Sequence, residues 1–388
     1  MGSTPLTLAT RAIGAAALGL VLALAVVRLW SFTGAGSFLG GDLVAYLAAA
    51  NRLQHTGSPY HPLLLAGPIE NVVSNIPIAY YYPPPLAQLF TPLAHLSSLD
   101  LAFPWILTQV VLLALVLPLV WFSSSLDRTN GWPIWVALLG VSSFPLQFAL
   151  YGGNVSGWMT IAVAVILAKR GGGAAIAAST LIKLTPGPLF AAGLVDARLR
   201  RRILAATGFM GVGSVLASPQ AWLDWIRILP NLARLTPYTG YPNLSLTSLL
   251  GPAGFAQLGT ALGYCLAVVF GAAALLAAAR SGLGVGAVAL ALTSMLFLST
   301  TIWDHYLAVF VPVYIAAWAN AGTATRVTIA AAVVSQVLPW FFLDPFAVAL
   351  ALLVTMVAAS AAIGLTALRR PRPADLMSST GTGGTSFA

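Results

Sequence analysis

The stretch "LAFPWILTQVVLLALVLPLVWF", residues 101–122, decides the fold class because it contains no charged residue. About 20 apolar residues let a helix cross the hydrocarbon core of a bilayer. Similar runs recur along the chain, in which 59% of residues are hydrophobic and 7% are charged, with a mean hydropathy of +0.90. A soluble domain cannot bury so much apolar surface. The sequence therefore predicts an all-α polytopic membrane protein with helical spans rather than a barrel.

The two ends of the chain predict one membrane domain and a tail. The run "AIGAAALGLVLALAVVRLW", residues 12–30, is too long for a signal-peptide core and lacks a clear cleavage site, so we expect a retained first span. We expect a single transmembrane domain over residues 1–372. The Ser-, Thr- and Gly-rich segment 373–388 is typical of a disordered cytoplasmic tail. The single cysteine, Cys265, excludes a disulfide framework and a cysteine-based zinc site.

Basic residues at the ends of apolar runs predict the topology. If all of them are cytoplasmic, the chain makes roughly twelve crossings with both termini inside. The net charge of +9 then reflects cytoplasmic anchoring and not binding to nucleic acid. The basic positions are Arg11, Arg128, Lys169, Arg170, the "RLRRR" at 198–202, Arg280, Arg326 and the "RRPRP" at 369–373.

One segment between two of these basic sites is too short for two full spans. It reads "GGGAAIAASTLIKLTPGPLFAAGLVDA" and covers residues 171–197. We expect two short helices that meet at "KLTPGP", where Pro186 and Pro188 interrupt helical hydrogen bonding. Broken helices in membrane proteins are tolerated where they line a cavity.

The remaining polar stretches fall on the opposite side of this scheme. They are the loop 31–99, "YGGNVSG" at 151–157, the loop 218–253 and "STTIWDHY" at 299–306, and the "KLTPGP" apex points the same way. We therefore expect extracytoplasmic loops with short surface helices on a multi-pass protein of the plasma (inner) membrane. Candidate chemistry is concentrated in these loops.

Asp42 follows two glycines in the stretch "GGDLVAYLAAANRLQHTG", residues 40–57, whose apolar residues have helical spacing. This pattern predicts a helix that lies at the membrane surface. An acid at its start could cap exposed amides and complement the helix dipole. It could equally act as a general base at the interface, where a lipid-linked substrate must react.

Two further candidates flank the membrane entry. In "AYYYPPPLAQLFTPLAHL", residues 79–96, the tyrosines are typical of an aromatic belt, and a hydroxyl of Tyr81 or Tyr82 could instead contact a substrate phosphate or sugar. Lys183 lies in an apolar segment at the predicted apex. It could snorkel to ordinary lipid phosphates, but a lysine at that position indicates contact with an anionic substrate group.

Arg227 and Arg234 lie in the outer loop "WLDWIRILPNLARLTPYTGYPNLSL", against the positive-inside trend. Arg227 could pair with Asp224 on an amphipathic surface helix or contact lipid phosphates. Both arginines could instead bind an anionic acceptor head group.

The motif "TIWDHY", residues 301–306, places three polar side chains at the outer end of a span. Trp303 and Tyr306 are consistent with an aromatic belt, and Asp304 with a helix cap. His305 could donate to a phosphate or orient a base. Four scattered histidines without HxH or HExxH spacing predict no metal site, and we expect no cofactor.

The order of these motifs resembles family eighty-seven of the polyprenyl-phosphate-sugar-dependent glycosyltransferases of the GT-C type. The resemblance covers residues 40–310. The matching motifs are "GGDLVAYLAAANRLQHTGSPY", "YYYPPPLAQLFTPLA", "YGGNVSG", "TLIKLTPGPLF", "NLSLTSLLG" and "STTIWDHYLAVFVP". It implies a GT-C fold in which Asp42 is the base and His305 belongs to the site. Members often carry Gln before the Asn of the third motif, whereas Gly153 precedes Asn154 here.

Together these observations predict an inverting membrane mannosyltransferase. Asp42 removes a proton from the hydroxyl of a glycolipid acceptor related to phosphatidylinositol mannosides, and an α-1,2 linkage forms. Lys183, Tyr82 and His305 hold the phosphate of polyprenyl-phosphate-mannose. The expected substrate-binding residues are Asn154, Asn243, Trp303, Arg227 and Arg234. A polyprenyl-phosphate-dependent arabinofuranosyltransferase remains an alternative, as does a polytopic lipid transporter or flippase.

Overall fold

The computed structural model describes residues 39–66, 80–124, 136, 140–169, 171–232, 243–299, 301–341 and 344–369. The expected span at 12–30, the candidate Arg234 and the expected tail at 373–388 lie outside them. Within the described ranges no strand is present, and the one β-type pairing is an isolated antiparallel bridge between Asn243 and Trp303. The prediction of an all-α protein is confirmed for this part of the chain.

The described residues form a series of α-helices. In chain order they are α1 (Gly41–Thr56), α2 (Pro62–Ala66), α3 (Pro84–Phe90), α4 (Ser98–Ser124), α5 (Phe144–Tyr151), α6 (Ser156–Leu167), α7 (Gly172–Ile182), α8 (Gly187–Val195), α9 (Ala197–Ala217), α10 (Pro219–Leu232), α11 (Leu246–Leu250), α12 (Ala256–Ser281), α13 (Val285–Phe297), α14 (Val311–Trp318), α15 (Thr323–Ser335) and α16 (Pro345–Leu368). Short 3₁₀ segments occupy Thr91–Leu93, Gly251–Ala253, Asp304–Phe310 and Leu338–Phe341.

The long apolar helices indicate a membrane-embedded protein, but they are fewer than the sequence predicts. Among the described residues, α4, α12 and α16 are long and apolar enough to cross a bilayer. A fourth span is possible if α9 and α10, which are bent by 101° at their junction, count as one. The predicted number of twelve crossings is therefore not shown. Helices such as α6, α7, α13 and α15 have 11 to 13 residues, short of the about 20 that a full span requires.

The predicted pair of short helices is confirmed. Helix α7 ends at Ile182 and α8 begins at Gly187. Lys183 adopts an extended conformation with φ −146° and ψ 117°, and Pro186 immediately precedes α8. The break therefore contains the lysine that the sequence places at an apex.

Most of the described basic residues lie at one end of the helical bundle. The C-terminal ends of α4 and α6 meet, since Ser123 Oγ donates a hydrogen bond to Ala168 O (3.3 Å). The α12–α13 turn meets the α8–α9 turn, since Leu283 N donates to Asp196 Oδ2 (2.8 Å). The start of α7 packs on the start of α9 and joins these two groups. The described basic residues of this end are Lys169, Arg198, Arg200, Arg201, Arg202, Arg280, Arg326 and Arg369.

The opposite end brings two hydrophobic clusters together. A large cluster runs through α4, α6 to α8 and α12 to α16. A smaller one joins α1, α3, the start of α4 and α10, and it includes Tyr46, Tyr60 and Tyr80. Ile182, the residue before Lys183, packs against both clusters. The start of α1, with Asp42, and the α7–α8 break, with Lys183, therefore both lie at the boundary between these two clusters.

Candidate active site

The turn between α5 and α6 holds the start of α1. Gly40 N donates a hydrogen bond to Tyr151 O, and Asp42 N donates to Gly152 O, both at 2.9 Å. The N-cap of α1 is Gly40, with φ 69°, and no side chain caps the helix. Asp42 lies in the first turn, where it complements the helix dipole but does not cap the helix, and its role as a general base stays a prediction.

Asn154 orients the Asp42 carboxylate. Its Nδ2 donates to Asp42 Oδ2 (2.8 Å), while its Oδ1 accepts from Ser156 N (2.7 Å) at the start of α6. Within the described residues the other carboxylate oxygen, Oδ1, has no hydrogen-bond partner. Burial raises the pKa of Asp42 above the ordinary carboxyl value, and the Asn154 bond and the nearby charge of Lys183 offset part of that rise.

The backbone conformation and the packing at position 153 explain why a glycine precedes Asn154. The φ of Gly153 is +70°, in the left-handed region that favours glycine. A Cβ at this position would lie 2.6 Å from Cγ of Leu43, the residue after Asp42. The glycine that stands where the resembled family often carries Gln therefore lets the backbone pack against the Leu43 side chain.

Lys183 is buried, and its ammonium group contacts aromatic rings. Nζ lies 3.5 Å from the ring centroid of Tyr306 and 5.6 Å from that of Tyr82. Ser156 and Thr185 line the same narrow cavity between α6, α7, α8 and α13. The ammonium and the Asp42 carboxylate interact electrostatically, and their joint role in one site stays a prediction.

Tyr82 lies between the two charged groups. Its ring is 5.6 Å from that of Tyr46 in an edge-to-face arrangement, and its ring centroid is 5.6 Å from Lys183 Nζ. The Tyr60 hydroxyl donates to Tyr82 O (3.0 Å) and fixes the backbone. The Tyr82 position therefore fits the predicted contact to a substrate phosphate.

His305 is buried in a row of rings. Its ring centroid lies 4.8 Å from that of Tyr306 and 5.7 Å from that of Phe148. Neither ring nitrogen has a hydrogen-bond partner in the described part of the chain, and Nδ1 is 3.8 Å from Asp304 Oδ1. A buried imidazole with free nitrogens is suited to a ligand contact, and it reaches Lys183 through the Tyr306 ring.

Asn243 and Trp303 join two chain segments beside this row. Asn243 Oδ1 accepts from Ser245 N (3.1 Å) and Ile302 N (2.9 Å), and the Asn243–Trp303 bridge adds to this link. The Asn243 oxygen therefore supports backbone that leads to His305. Any role of either residue in substrate binding stays a prediction.

Arg227 lies away from the Asp42–Lys183 pair. Its side chain is 67% exposed on α10, and Nη1 donates to Oδ1 of the buried Asp224 (3.2 Å). Gln220 donates to the same oxygen (2.7 Å). The structure thus shows the predicted contact of Arg227 with Asp224. Binding of an anionic acceptor head group by Arg227 stays a prediction.

Sequence reasoning missed two tyrosines. Tyr46 lies one helical turn after Asp42, and its hydroxyl accepts from Val155 N (3.4 Å), so the i to i+4 spacing was a usable signal. Tyr306 was assigned to an aromatic belt, whereas its ring contacts Lys183. No local pattern signals that contact, because it joins residues far apart in the chain.

The site offers cations, amides and hydroxyls and is suited to an anionic substrate. Among the described residues no group of three His, Cys, Asp or Glu side chains is placed to hold a metal ion.

Comparison with known families identifies the chain. The sequence model of glycosyltransferase family 87 matches residues 80–283, more than half of the 388-residue chain. The matched region contains Tyr82, Asn154 and Lys183, whereas Asp42 and His305 lie outside it. No curated protein and no solved structure matches the chain at a significant level. The chain belongs to glycosyltransferase family 87 and is a membrane-embedded glycosyltransferase.

Proposed function

We propose that this protein transfers mannose from polyprenyl-phosphate-mannose to a glycolipid acceptor related to the phosphatidylinositol mannosides. The reaction inverts the anomeric centre and gives an α-1,2 linkage. The observation that carries the proposal is a partly buried carboxylate, Asp42, held by Asn154 and placed within the electrostatic influence of the buried Lys183 ammonium. A transfer from a lipid phosphate needs these two groups, a base and a cation.

The base activates the acceptor. Asp42 Oδ1 accepts the proton of the acceptor hydroxyl, whose oxygen then forms a bond to the anomeric carbon of the donor sugar. The raised pKa of Asp42 makes the carboxylate a stronger base than an exposed one. Asn154 keeps the carboxylate oriented during the transfer.

The cation stabilises the leaving group. As the bond between the anomeric carbon and the phosphate oxygen breaks, the electron pair and negative charge move to the polyprenyl phosphate. Lys183 meets this charge where it develops, and Tyr82 adds a hydroxyl donor. His305 supplies a further donor from its free nitrogens.

A single displacement is favoured over a double one. Double displacement needs a second carboxylate as nucleophile. Asp304 accepts from His305 N (2.7 Å), and Asp224 is occupied by Arg227 and Gln220. Asp42 is thus the carboxylate with a free oxygen beside Lys183, which supports inversion.

The site faces the extracytoplasmic side of the plasma membrane in a GT-C fold of roughly twelve crossings, with both termini cytoplasmic. The proposal is supported by the separation of the basic helix ends from Asp42 and Lys183, which occupy opposite ends of the bundle. A flipped polyprenyl-phosphate sugar reaches the site from the outer leaflet.

The test uses purified full-length protein in lipid nanodiscs. It is incubated with radiolabelled polyprenyl-phosphate-mannose and phosphatidylinositol mannosides, and the product linkage is determined by glycosidase digestion. We expect an α-1,2-mannosylated lipid. Transfer from polyprenyl-phosphate-arabinofuranose instead of mannose would overturn the sugar assignment. Lipid movement between leaflets without a transferred sugar would favour a transporter.

A further inference from the structure

The Lys183 ammonium has an aromatic partner in place of a carboxylate. At 3.5 Å from the centroid, Nζ lies on the face of the Tyr306 ring, where the electron-rich surface attracts a cation. Among the described residues, the contacts within 4.0 Å between basic and acidic side chains are the Arg227–Asp224 ion pair and the approach of His305 to Asp304, so Lys183 and Asp42 are not within 4.0 Å of each other. Two opposite charges in one buried site are therefore kept apart.

The Tyr306 ring is itself fixed. Its backbone N donates to Trp303 O (2.9 Å), and its ring meets that of His305 edge to face at an interplanar angle of 84°. The His305 ring packs in turn on Phe148 from α5. The hydroxyl of Tyr306 makes no hydrogen bond within the described residues, so the ring face is the part that Lys183 uses.

We propose that Tyr306 is a positioning residue that holds the Lys183 ammonium apart from Asp42. The cation then stays free for the phosphate of a polyprenyl-phosphate donor, and the carboxylate stays free to accept a proton. This inference rests on the proposed function and adds a residue that acts through Lys183.

Loss of the ring releases Lys183 toward the carboxylate. The titratable groups that face Lys183 are Asp42 from α1, Tyr82 from the segment before α3, and His305 with Tyr306 from the 3₁₀ segment. Of these, Asp42 is the one that carries a negative charge at neutral pH. An ion pair with Lys183 would make Asp42 a weaker base and would compete with the donor phosphate.

The test compares three variants of the full-length protein. Tyr306→Leu removes the ring and Tyr306→Phe keeps it. Tyr314→Leu is the matched control, because Tyr314 is a buried tyrosine eight residues later that stacks on Phe310. Two quantities are measured in nanodiscs: the affinity for farnesyl phosphate, which carries no sugar, and the pH profile of kcat/KM for mannosyl transfer.

We expect Tyr306→Leu to bind farnesyl phosphate roughly tenfold more weakly and to move the acid limb of the pH profile to lower pH. Tyr306→Phe should keep the wild-type affinity and the wild-type position of the acid limb, and Tyr314→Leu should change neither quantity. A Tyr306→Leu protein with wild-type affinity and an unmoved acid limb would overturn the inference while leaving the function intact.

Failure of the proposed function has a different result. If wild-type protein binds farnesyl phosphate but transfers no mannose, the sugar assignment fails and the binding series still tests Tyr306. If wild-type protein binds no isoprenoid phosphate, both the role of Lys183 and the role of Tyr306 are rejected.

Discussion

At the residue scale, the charge of Asp42 can be separated from its place in the helix. Because Gly40 is the N-cap and no side chain caps α1, Asp42→Asn should leave stability nearly unchanged. Loss of the base should lower kcat by a factor of about 10² to 10⁴. Thermal unfolding and initial rates measure the two effects. Asp100→Asn, an exposed acid in the first turn of α4, is the control and should keep full activity. A large fall in unfolding temperature for Asp42→Asn would instead indicate a structural role.

The Asn154 hydrogen bond predicts a shift in the pH dependence of the rate. The bond stabilises the charged carboxylate and lowers the pKa of Asp42, so Asn154→Ala should raise that pKa further. A base must be deprotonated, and activity is lost as pH falls through its pKa. The acid limb of kcat/KM should therefore move to higher pH, opposite to the direction expected for Tyr306→Leu. Asn320→Ala at the basic end is the control, and an unmoved limb for Asn154→Ala would contradict this account.

At the scale of elements, the α5–α6 turn must approach α1 closely. Gly153 and Gly254 both have positive φ, so alanine costs about 1–2 kcal/mol of backbone strain at either. Only Gly153→Ala also brings a Cβ to 2.6 Å from Leu43, whereas nothing lies within 4 Å of a Cβ at Gly254. We expect Gly153→Ala to lose a further 1–3 kcal/mol of stability, on the order of an overpacked core, together with most transfer activity. Denaturation and rate measurements that rank the two variants equally would contradict this.

The break between two helices was easier to predict from the sequence than the number of helices that cross the membrane. Proline lacks a backbone N–H and clashes with the preceding helical turn, so the prolines of "KLTPGP" allow the break between α7 and α8 to be predicted from sequence. Hydropathy counts apolar residues but does not show where a run stops being helical. Three or four of the described helices are long and apolar enough to cross a bilayer, so the number of roughly twelve crossings stays a prediction.

At the scale of the whole molecule, the site depends on contacts between distant segments. Asp42 and Lys183 could be singled out because charge is scarce in this chain. The Asn154 bond to Asp42 and the Tyr306 contact with Lys183 join residues more than 100 positions apart, and such pairs leave no local pattern. Asn243 is an example of the opposite kind. Its place in a loop motif marked it as a candidate substrate contact, but its side-chain oxygen accepts hydrogen bonds from the backbone of the same region.

The separation of the basic end from the site end predicts how the molecule sits in the membrane. In a variant whose Cys265 is replaced by Ala, single cysteines are introduced at Leu184 and Arg201, both exposed and at opposite ends of the bundle. Positive-inside orientation puts Arg201 in the cytoplasm and Leu184 outside. A membrane-impermeant maleimide should label Leu184→Cys in intact cells and Arg201→Cys only after permeabilisation. Labelling of both from one side would mean that the bundle does not cross the membrane between them, and labelling of Arg201→Cys alone in intact cells would reverse the proposed orientation.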